Sequence, residues 1–389
     1  MKTLDDLSLS GKRVLMRLDL NVPIKEGRIT SDARIQAALP TIRKALADNA
    51  AVLIMAHLGR PKEGEYDEQF SLAPVAAYLG GLLGQEVPLV KDYLENAPKV
   101  APGQVVMLEN VRFNVGEKKN DPALAKKYAA LCDVFVSDGF GVVHRAQAST
   151  VGVAEHAAEV CAGYLVAQEV AALEKVLHSP ERPMLAIVGG AKVSTKLLIL
   201  QALIEKVDAL IPGGGIANTF LAAQGHHVGS SLYEPDLIND AKALLEKAKA
   251  RGVNIPLPVD VVVGEEFSAD TKTQTKAIQD VAENEMILDI GPQTARLYAS
   301  LVADMKTIIW NGPVGVFEME PFAAGTKTLT EAVADSPAYS FVGGGDTIAA
   351  VQQFGASDRI DYISTGGGSM LEYLEGKELP GIAILKQKA

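Results

Sequence analysis

Two lysines, Lys192 and Lys196, lie four residues apart just after the apolar run Met184-Leu185-Ala186-Ile187-Val188 and the pair Gly189-Gly190. A short continuous apolar run is what a sheet strand buried on both faces shows. Lys192-Val193-Ser194-Thr195-Lys196-Leu197-Leu198 then reads as the opening of a helix that carries both ammonium groups on one face. A helix start favours anions, so two cations above a glycine turn suit a bound phosphate that neutralises them. Alone, the pair is equally a solvated surface patch. Its meaning comes from what the rest of the chain sets beside it.

A second group of charges falls at the ends of apolar runs in the first half. Arg13 to Leu18 ends in Asp19-Leu20-Asn21-Val22-Pro23, and Ala51 to Ala56 ends in His57-Leu58-Gly59-Arg60-Pro61. Val105 to Leu108 runs into Glu109-Asn110-Val111-Arg112-Phe113, and Asp133 to Val136 into Ser137-Asp138-Gly139, with His144-Arg145 just beyond. Arg34 follows Thr30-Ser31-Asp32, a capping cluster for a helix. Arginine suits forked, charge-assisted recognition of carboxylate or phosphate. Any one of these groups is commonly a surface ion-pair partner. Their shared position at run ends points instead to one crevice for a small, multiply charged anion.

The elements that must hold these groups alternate. Apolar runs are separated by Ala-, Leu- and Lys-rich stretches such as 32–48 and 121–131. Strand, helix, strand in alternation predicts a parallel sheet covered on both faces. Ligands of such a sheet bind beyond the carboxyl ends of its strands. Tyr164 to Leu177 reads as one helix, stopped by Ser179-Pro180-Glu181-Arg182-Pro183, and serves as a connector to a second domain.

In that second half, glycine marks the strand ends. Asp208 to Pro212 runs into Gly213-Gly214-Gly215, Tyr339 to Val342 into Gly343-Gly344-Gly345-Asp346-Thr347, and Tyr362 to Thr365 into Gly366-Gly367-Gly368. Thr307 to Trp310 ends in Asn311-Gly312-Pro313 and leads on to Glu318. Backbone N–H groups free of a Cβ, together with helix starts, cradle anions. Three triplets plus Gly189-Gly190 suggest a polyphosphate cradle. The spacing G-x-x-x-x-G-K-[ST] does not occur, Ile348 stands where a dinucleotide fingerprint needs its third glycine, and Ala146 stands where a protein-kinase catalytic loop has aspartate. A different α/β nucleotide site is needed. Asp346 is placed either to meet a Mg²⁺ on the phosphates or to cap a helix.

The totals agree. The chain has 389 residues, 48% of them hydrophobic, enough for two cores. A net charge of −11 argues against a nucleic-acid coat. Cys132 and Cys161 show no metal or disulfide spacing. The first residues lack a signal-peptide core and no stretch is apolar enough to span a bilayer. The expectation is a soluble cytoplasmic protein without nucleic-acid or membrane partners.

Taken in order, Asp19–Pro23, His57–Pro61, Glu109–Phe113, His144–Ala146, Gly189–Val193, Gly213–Asn218, Trp310–Pro313, Gly343–Thr347 and Thr365–Gly368 resemble the signatures of the phosphoglycerate kinase family. The resemblance spans nearly the whole chain. It implies two doubly wound, Rossmann-like parallel-sheet domains. Residues 1–167 would bind phosphoglycerate, 168–182 form a hinge helix and linker, and 183–374 bind nucleotide. A tail from about 375 to 389 would return to the first domain. The resemblance implies that Asp19, Leu20, Asn21, Arg34, His57, Leu58, Gly59, Arg60, Arg112 and Arg145 hold 3-phosphoglycerate or 1,3-bisphosphoglycerate. Lys196, Gly213, Gly214, Gly291, Asn311, Glu318, Gly344, Gly345, Asp346 and Thr347 would hold ADP or ATP, with Asp346 on Mg²⁺. Arg34, Lys192, Gly367 and Gly368 would face the phosphoryl group in transit. It also implies a monomer that bends about its hinge. Rival readings are a nicotinamide-dependent dehydrogenase and a non-catalytic anion-binding protein.

Overall fold

The computed structural model describes all 389 residues, which divide into two units. Met1–Ala171 with Lys377–Ala389 form the first, and Ala172–Gly376 the second. The division falls inside the helix Tyr164–Leu177.

In the first unit six parallel strands lie in the order Leu89–Val90, Val105–Leu108, Ala51–Met55, Arg13–Arg17, Val134–Ser137, Glu159–Ala162. All five residues of Ala51–Met55 are buried, as a strand covered on both faces requires. The strand order reverses direction between Arg13–Arg17 and Val134–Ser137. A crevice therefore opens there, beyond the carboxyl ends. The C-terminal helix Pro380–Gln387 docks on this unit through Ile382, Ile384 and Leu385, which are buried, and Gly381 N–H donates to the Val143 carbonyl at 2.8 Å.

The second unit holds five parallel strands in the order Ala209–Gly213, Met184–Gly190, Thr307–Asn311, Tyr339–Val342, Tyr362–Ile363. Its order reverses between Met184–Gly190 and Thr307–Asn311. Trp310, the only tryptophan, is fully buried in this core. A feature absent from the sequence reading joins it: an antiparallel sheet of Gln274–Ala277, Asp260–Gly264 and Met286–Ile290.

Two local expectations are corrected. The lysines do not share a helical face. The strand continues through Gly189-Gly190, Lys192 is extended (φ −136°, ψ 130°), and only a single 3-10 turn, Val193–Thr195, precedes the helix Leu197–Ile204. The Glu234 carboxylate accepts the Ser194 N–H at 2.9 Å and its hydroxyl at 2.6 Å, which holds this turn apart from the helix. Asp32 does stand just before the helix Ala33–Ala47, but its carboxylate does not cap it. It accepts instead from Gln36 Nε2 at 2.7 Å and the Tyr78 hydroxyl at 2.8 Å.

A carboxylate from a neighbouring strand caps the helix Pro292–Ala303. Asp260 accepts the N–H of Gln293 at 2.9 Å, the N–H of Thr294 at 2.7 Å and the Thr294 hydroxyl at 2.6 Å. Asp260→Ala strands the buried Thr294 N–H and uncaps Gln293, so the second unit should lose about 2 kcal/mol. Urea unfolding followed by Trp310 fluorescence measures this; an unchanged midpoint would show the cap to be inert.

Candidate active site

The first crevice is built from strand ends and the loops that follow them. Arg34, on the first turn of its helix, donates from Nη1 to Asp19 Oδ1 at 3.3 Å and to the Asn21 carbonyl at 2.7 Å. Asn21 Oδ1 accepts the Gly59 N–H at 2.9 Å, which ties the loop after Arg13–Arg17 to the loop after Ala51–Met55. Arg112 donates from Nη1 to the Gly59 carbonyl at 2.6 Å, while its Nε is buried with no partner in the protein. An unpaired buried donor on a cation is what an anionic ligand would satisfy.

Like charges crowd here. Burial, then Arg145, Arg17 and Arg60, lower the Arg112 guanidinium to about 10. The His57 imidazole is buried, and burial followed by Arg17, Arg112, Arg145 and Arg34 drives it far below its ordinary value, so the ring is neutral. Arg60 and Arg145 are exposed, free to reach a ligand. Leu20 and Leu58 are buried and support the loops through their backbones. The structure thus brings Asp19, Asn21, Arg34, His57, Gly59, Arg112 and Arg145 to one strand-end cluster, with Arg60 in electrostatic range.

In the second unit a cavity of about 560 Å³ lies at the strand-order reversal. It is lined by Gly190, Gly214, Asn218, Pro313 and Val314, by Leu232 and Phe267, and by Met286 to Ile290 of the antiparallel sheet. Glu318 and Asp346 stand on its wall. The backbones of Gly189 and Gly312 meet so closely that a Cβ on Gly312 would fall 2.1 Å from the Gly189 carbonyl oxygen. Only glycine permits that approach. Gly344 (φ 94°) precedes the helix Gly345–Gln353, so Asp346 lies within the first turn and is not its cap.

Lys196 donates from Nζ to Asn311 Oδ1, and Asn311 Nδ2 donates to the Gly343 carbonyl at 2.9 Å. The Thr347 hydroxyl accepts the Gly312 N–H at 2.7 Å. Burial lowers the Lys196 ammonium while Asp346 and Glu375 oppose the shift. Lys196, Asn311, Gly344, Asp346 and Thr347 therefore form one connected set at three strand ends. Lys192, Gly345, Gly367 and Gly368 are exposed. Gly367 and Gly368 open the helix Gly368–Leu374. Of the residues expected to hold nucleotide, only Gly214, Glu318 and Asp346 line the cavity; Lys196, Asn311, Gly344, Gly345 and Thr347 lie outside its lining, Gly213 ends its strand against Pro313, and Gly291 N–H donates to the Asp260 carbonyl at 2.8 Å.

No group of three or more His, Cys, Asp or Glu could hold a metal by itself. Asp346, near Lys196, fits Mg²⁺ only where nucleotide phosphates supply further oxygens, which is how that ion is usually held.

Residues 4–377 match the family profile described as phosphoglycerate kinase. The chain belongs to the phosphoglycerate kinase family. The phosphoglycerate kinase from Coxiella burnetii is 53% identical with a TM-score of 0.96, the alignment covering 100% of this chain and 99% of that one. The enzyme from Pyrococcus horikoshii OT3 is 34% identical with a TM-score of 0.85, again over 100% and 99% of the two chains. As a phosphoglycerate kinase the chain is a phosphotransferase of glycolysis, on the expected two-domain α/β architecture.

Sequence reasoning passed over Arg17 and Asp289. Arg17 sits inside an apolar strand run and is 1% exposed, yet its Nη2 lies 3.1 Å from His57 Nδ1. Asp289 lines the cavity at 2% exposure and accepts the N–H of Gly325 at 2.8 Å and of Ile290 at 2.9 Å. A charged residue inside an otherwise apolar run is the one signal that marks both.

Burial raises the Asp289 carboxyl from 3.8 to about 8, against those two backbone donors. The folded state then holds this proton more tightly than the unfolded chain. The stability it contributes is complete below the ordinary carboxylate range and is lost as pH climbs toward about 8. Asp289→Asn keeps a neutral acceptor, so its melting temperature relative to the parent should be higher at about pH 8 than at about pH 5. Thermal melts at both values check this, and an offset independent of pH would contradict it.

Proposed function

We propose that the chain catalyses reversible, Mg²⁺-dependent phosphoryl transfer between 1,3-bisphosphoglycerate with ADP and 3-phosphoglycerate with ATP. The observation that carries the reading is the strand-end crevice of the first unit. It gathers a neutral histidine and several arginines, and it leaves the buried Arg112 Nε without a protein partner. That donor set suits a small substrate bearing phosphate and carboxylate. Asp19 and Asn21 would fix Arg34, and the arginines with His57 would hold the phosphoglycerate.

In the second unit the Lys196–Asn311–Gly343 chain and the helix starts at Gly214 and Gly345 would cradle ADP or ATP, with Glu318 reaching the ribose. Asp346 would hold Mg²⁺ jointly with the phosphates, and the bound ion would neutralise charge on them. Neither crevice presents a residue poised as a general base, and none is required. The attacking oxygen, on ADP phosphate or on a carboxylate, is already ionised near neutrality. The protein's work is then in-line positioning and charge stabilisation, with Arg34, Lys192 and the backbone at Gly367-Gly368 facing the transferred group. The free, buried Cys132 and Cys161 suit a reducing cytoplasm, and no helix is long and apolar enough to cross a membrane. The family resemblance supports a working monomer.

A coupled assay with 3-phosphoglycerate and Mg-ATP tests the activity, and absence of turnover would overturn it. Arg34→Ala and Lys192→Ala should each lower kcat by about a hundredfold or more; values near the parent's would remove them from the transfer step. Because water competes for the phosphoryl group, bending about residues 168–182 is proposed to bring the two ligands together. Small-angle scattering should then show a smaller radius of gyration only when both substrates saturate, and an unchanged radius would count against bending.

A further inference from the structure

We propose that Arg17 is a positioning residue that locks His57 as the Nε2–H tautomer, so that the ring meets the anionic substrate as a fixed, uncharged donor. The inference rests on reading the strand-end crevice as the phosphoglycerate site, and it adds a residue and a protonation state to that reading. Its basis is the chemistry of one contact. A guanidinium carries only donors, and Arg17 Nη2 lies 3.1 Å from His57 Nδ1. Nδ1 must therefore offer its lone pair, and the single ring hydrogen of the neutral imidazole resides on Nε2. A protonated ring would set N–H against N–H.

Arg17 is held so that it cannot turn away. Its Nε donates to Ser149 Oγ at 2.9 Å and its Nη1 to the Leu18 carbonyl. Ser149 donates its hydroxyl to Glu117 Oε1 and its N–H to Glu117 Oε2 at 3.1 Å. The Tyr128 hydroxyl donates to the same carboxylate at 3.2 Å and in turn accepts from Asn114 Nδ2 at 2.9 Å. Arg17, Glu117 and Ser149 are at most 1% exposed. Buried opposite charges are weak stabilisers compared with apolar residues of similar size, so stability alone does not explain an arginine in the middle of this sheet. Aiming a histidine does.

The charged groups around the ring reinforce the assignment. Arg17, Arg34, Arg112 and Arg145 all act against a positive imidazole. The acids that act on Arg17 are engaged elsewhere, Asp19 with Arg34 and Glu117 behind Ser149. Histidine ordinarily changes charge across the working pH range. Here it would present the same N–H throughout, and substrate binding would not inherit that titration.

Nitrogen-15 correlation NMR of the full-length protein, free of substrate, reads the tautomer directly. The expected result is a His57 ring protonated at Nε2 alone, with no titration between about pH 5.5 and 8. A proton on Nδ1, or a titration in that window, overturns the proposal. In Arg17→Met the ring should populate both tautomers and KM for 3-phosphoglycerate should rise, while burial and the remaining arginines keep the ring neutral; an unaltered ring spectrum would show that Arg17 is not the cause. Should that variant fail to fold, two substitutions at the ring serve instead. A glutamine amide nitrogen falls near the place of Nε2 and an asparagine amide nitrogen near that of Nδ1. Both substitutions remove a binding ring and should raise KM for 3-phosphoglycerate, His57→Asn by about tenfold or more beyond His57→Gln; the reverse order refutes the assignment. If saturating 3-phosphoglycerate leaves the parent's ring signals unmoved, the reading of the crevice fails while the tautomer stands.

Discussion

A parallel sheet buried on both faces has one place for polar chemistry. Its strands consist of apolar side chains whose backbone groups are consumed in the ladder, as in Ala51–Met55 and Met184–Val188, where every residue is buried. Most charged groups gather where the ladder ends. In each unit the strand order reverses, and at that reversal neighbouring loops part and leave room for a ligand. The arginine cluster of the first unit and the cavity of the second both occupy such reversals. Everything catalytic in the proposal follows from that constraint.

The two reversals are furnished differently. In the first, side chains dominate, and the loops are braced against each other by Asn21 and Arg112 gripping Gly59 from both sides. Cations packed this tightly repel one another, and the depressed Arg112 guanidinium records that repulsion together with burial. In the second, backbone dominates, and the contact between Gly189 and Gly312 lets two strand ends close up beneath the cavity. The antiparallel sheet adds a wall carrying Met286, Ile287 and Leu288, apolar cover suited to the flat part of a nucleotide.

Much of this was legible in the sequence, for physical reasons. Apolar runs that end in charge or in glycine expose the sheet and its ligand side together, which is why Asp19, His57, Arg112 and Asp346 could be placed before any coordinates. What escaped was set by tertiary partners. The lysine segment carries helix-forming residues, yet Glu234 from a distant loop pins Ser194 and lets the strand run on through Gly190. Asp32 has the right type for a cap, but Gln36 and Tyr78 compete for its carboxylate. Arg17 and Asp289 hide inside strands, and only the burial of their partners reveals them. The three-stranded antiparallel sheet went unread although Val261-Val262-Val263 and Met286-Ile287-Leu288 are apolar runs; its third strand, Gln274–Ala277, is polar and partly exposed and resembles loop sequence.

The last helix, Pro380–Gln387, belongs to the first unit although the whole second unit precedes it in the chain. Gly381 lies so close to Val143 that a methyl group there would sit 2.9 Å from the Val143 Cα. During synthesis the first unit therefore cannot finish its packing until residues 377–389 have been made. The second unit has by then emerged in full, so the half of the molecule that is made first is the half that is completed last.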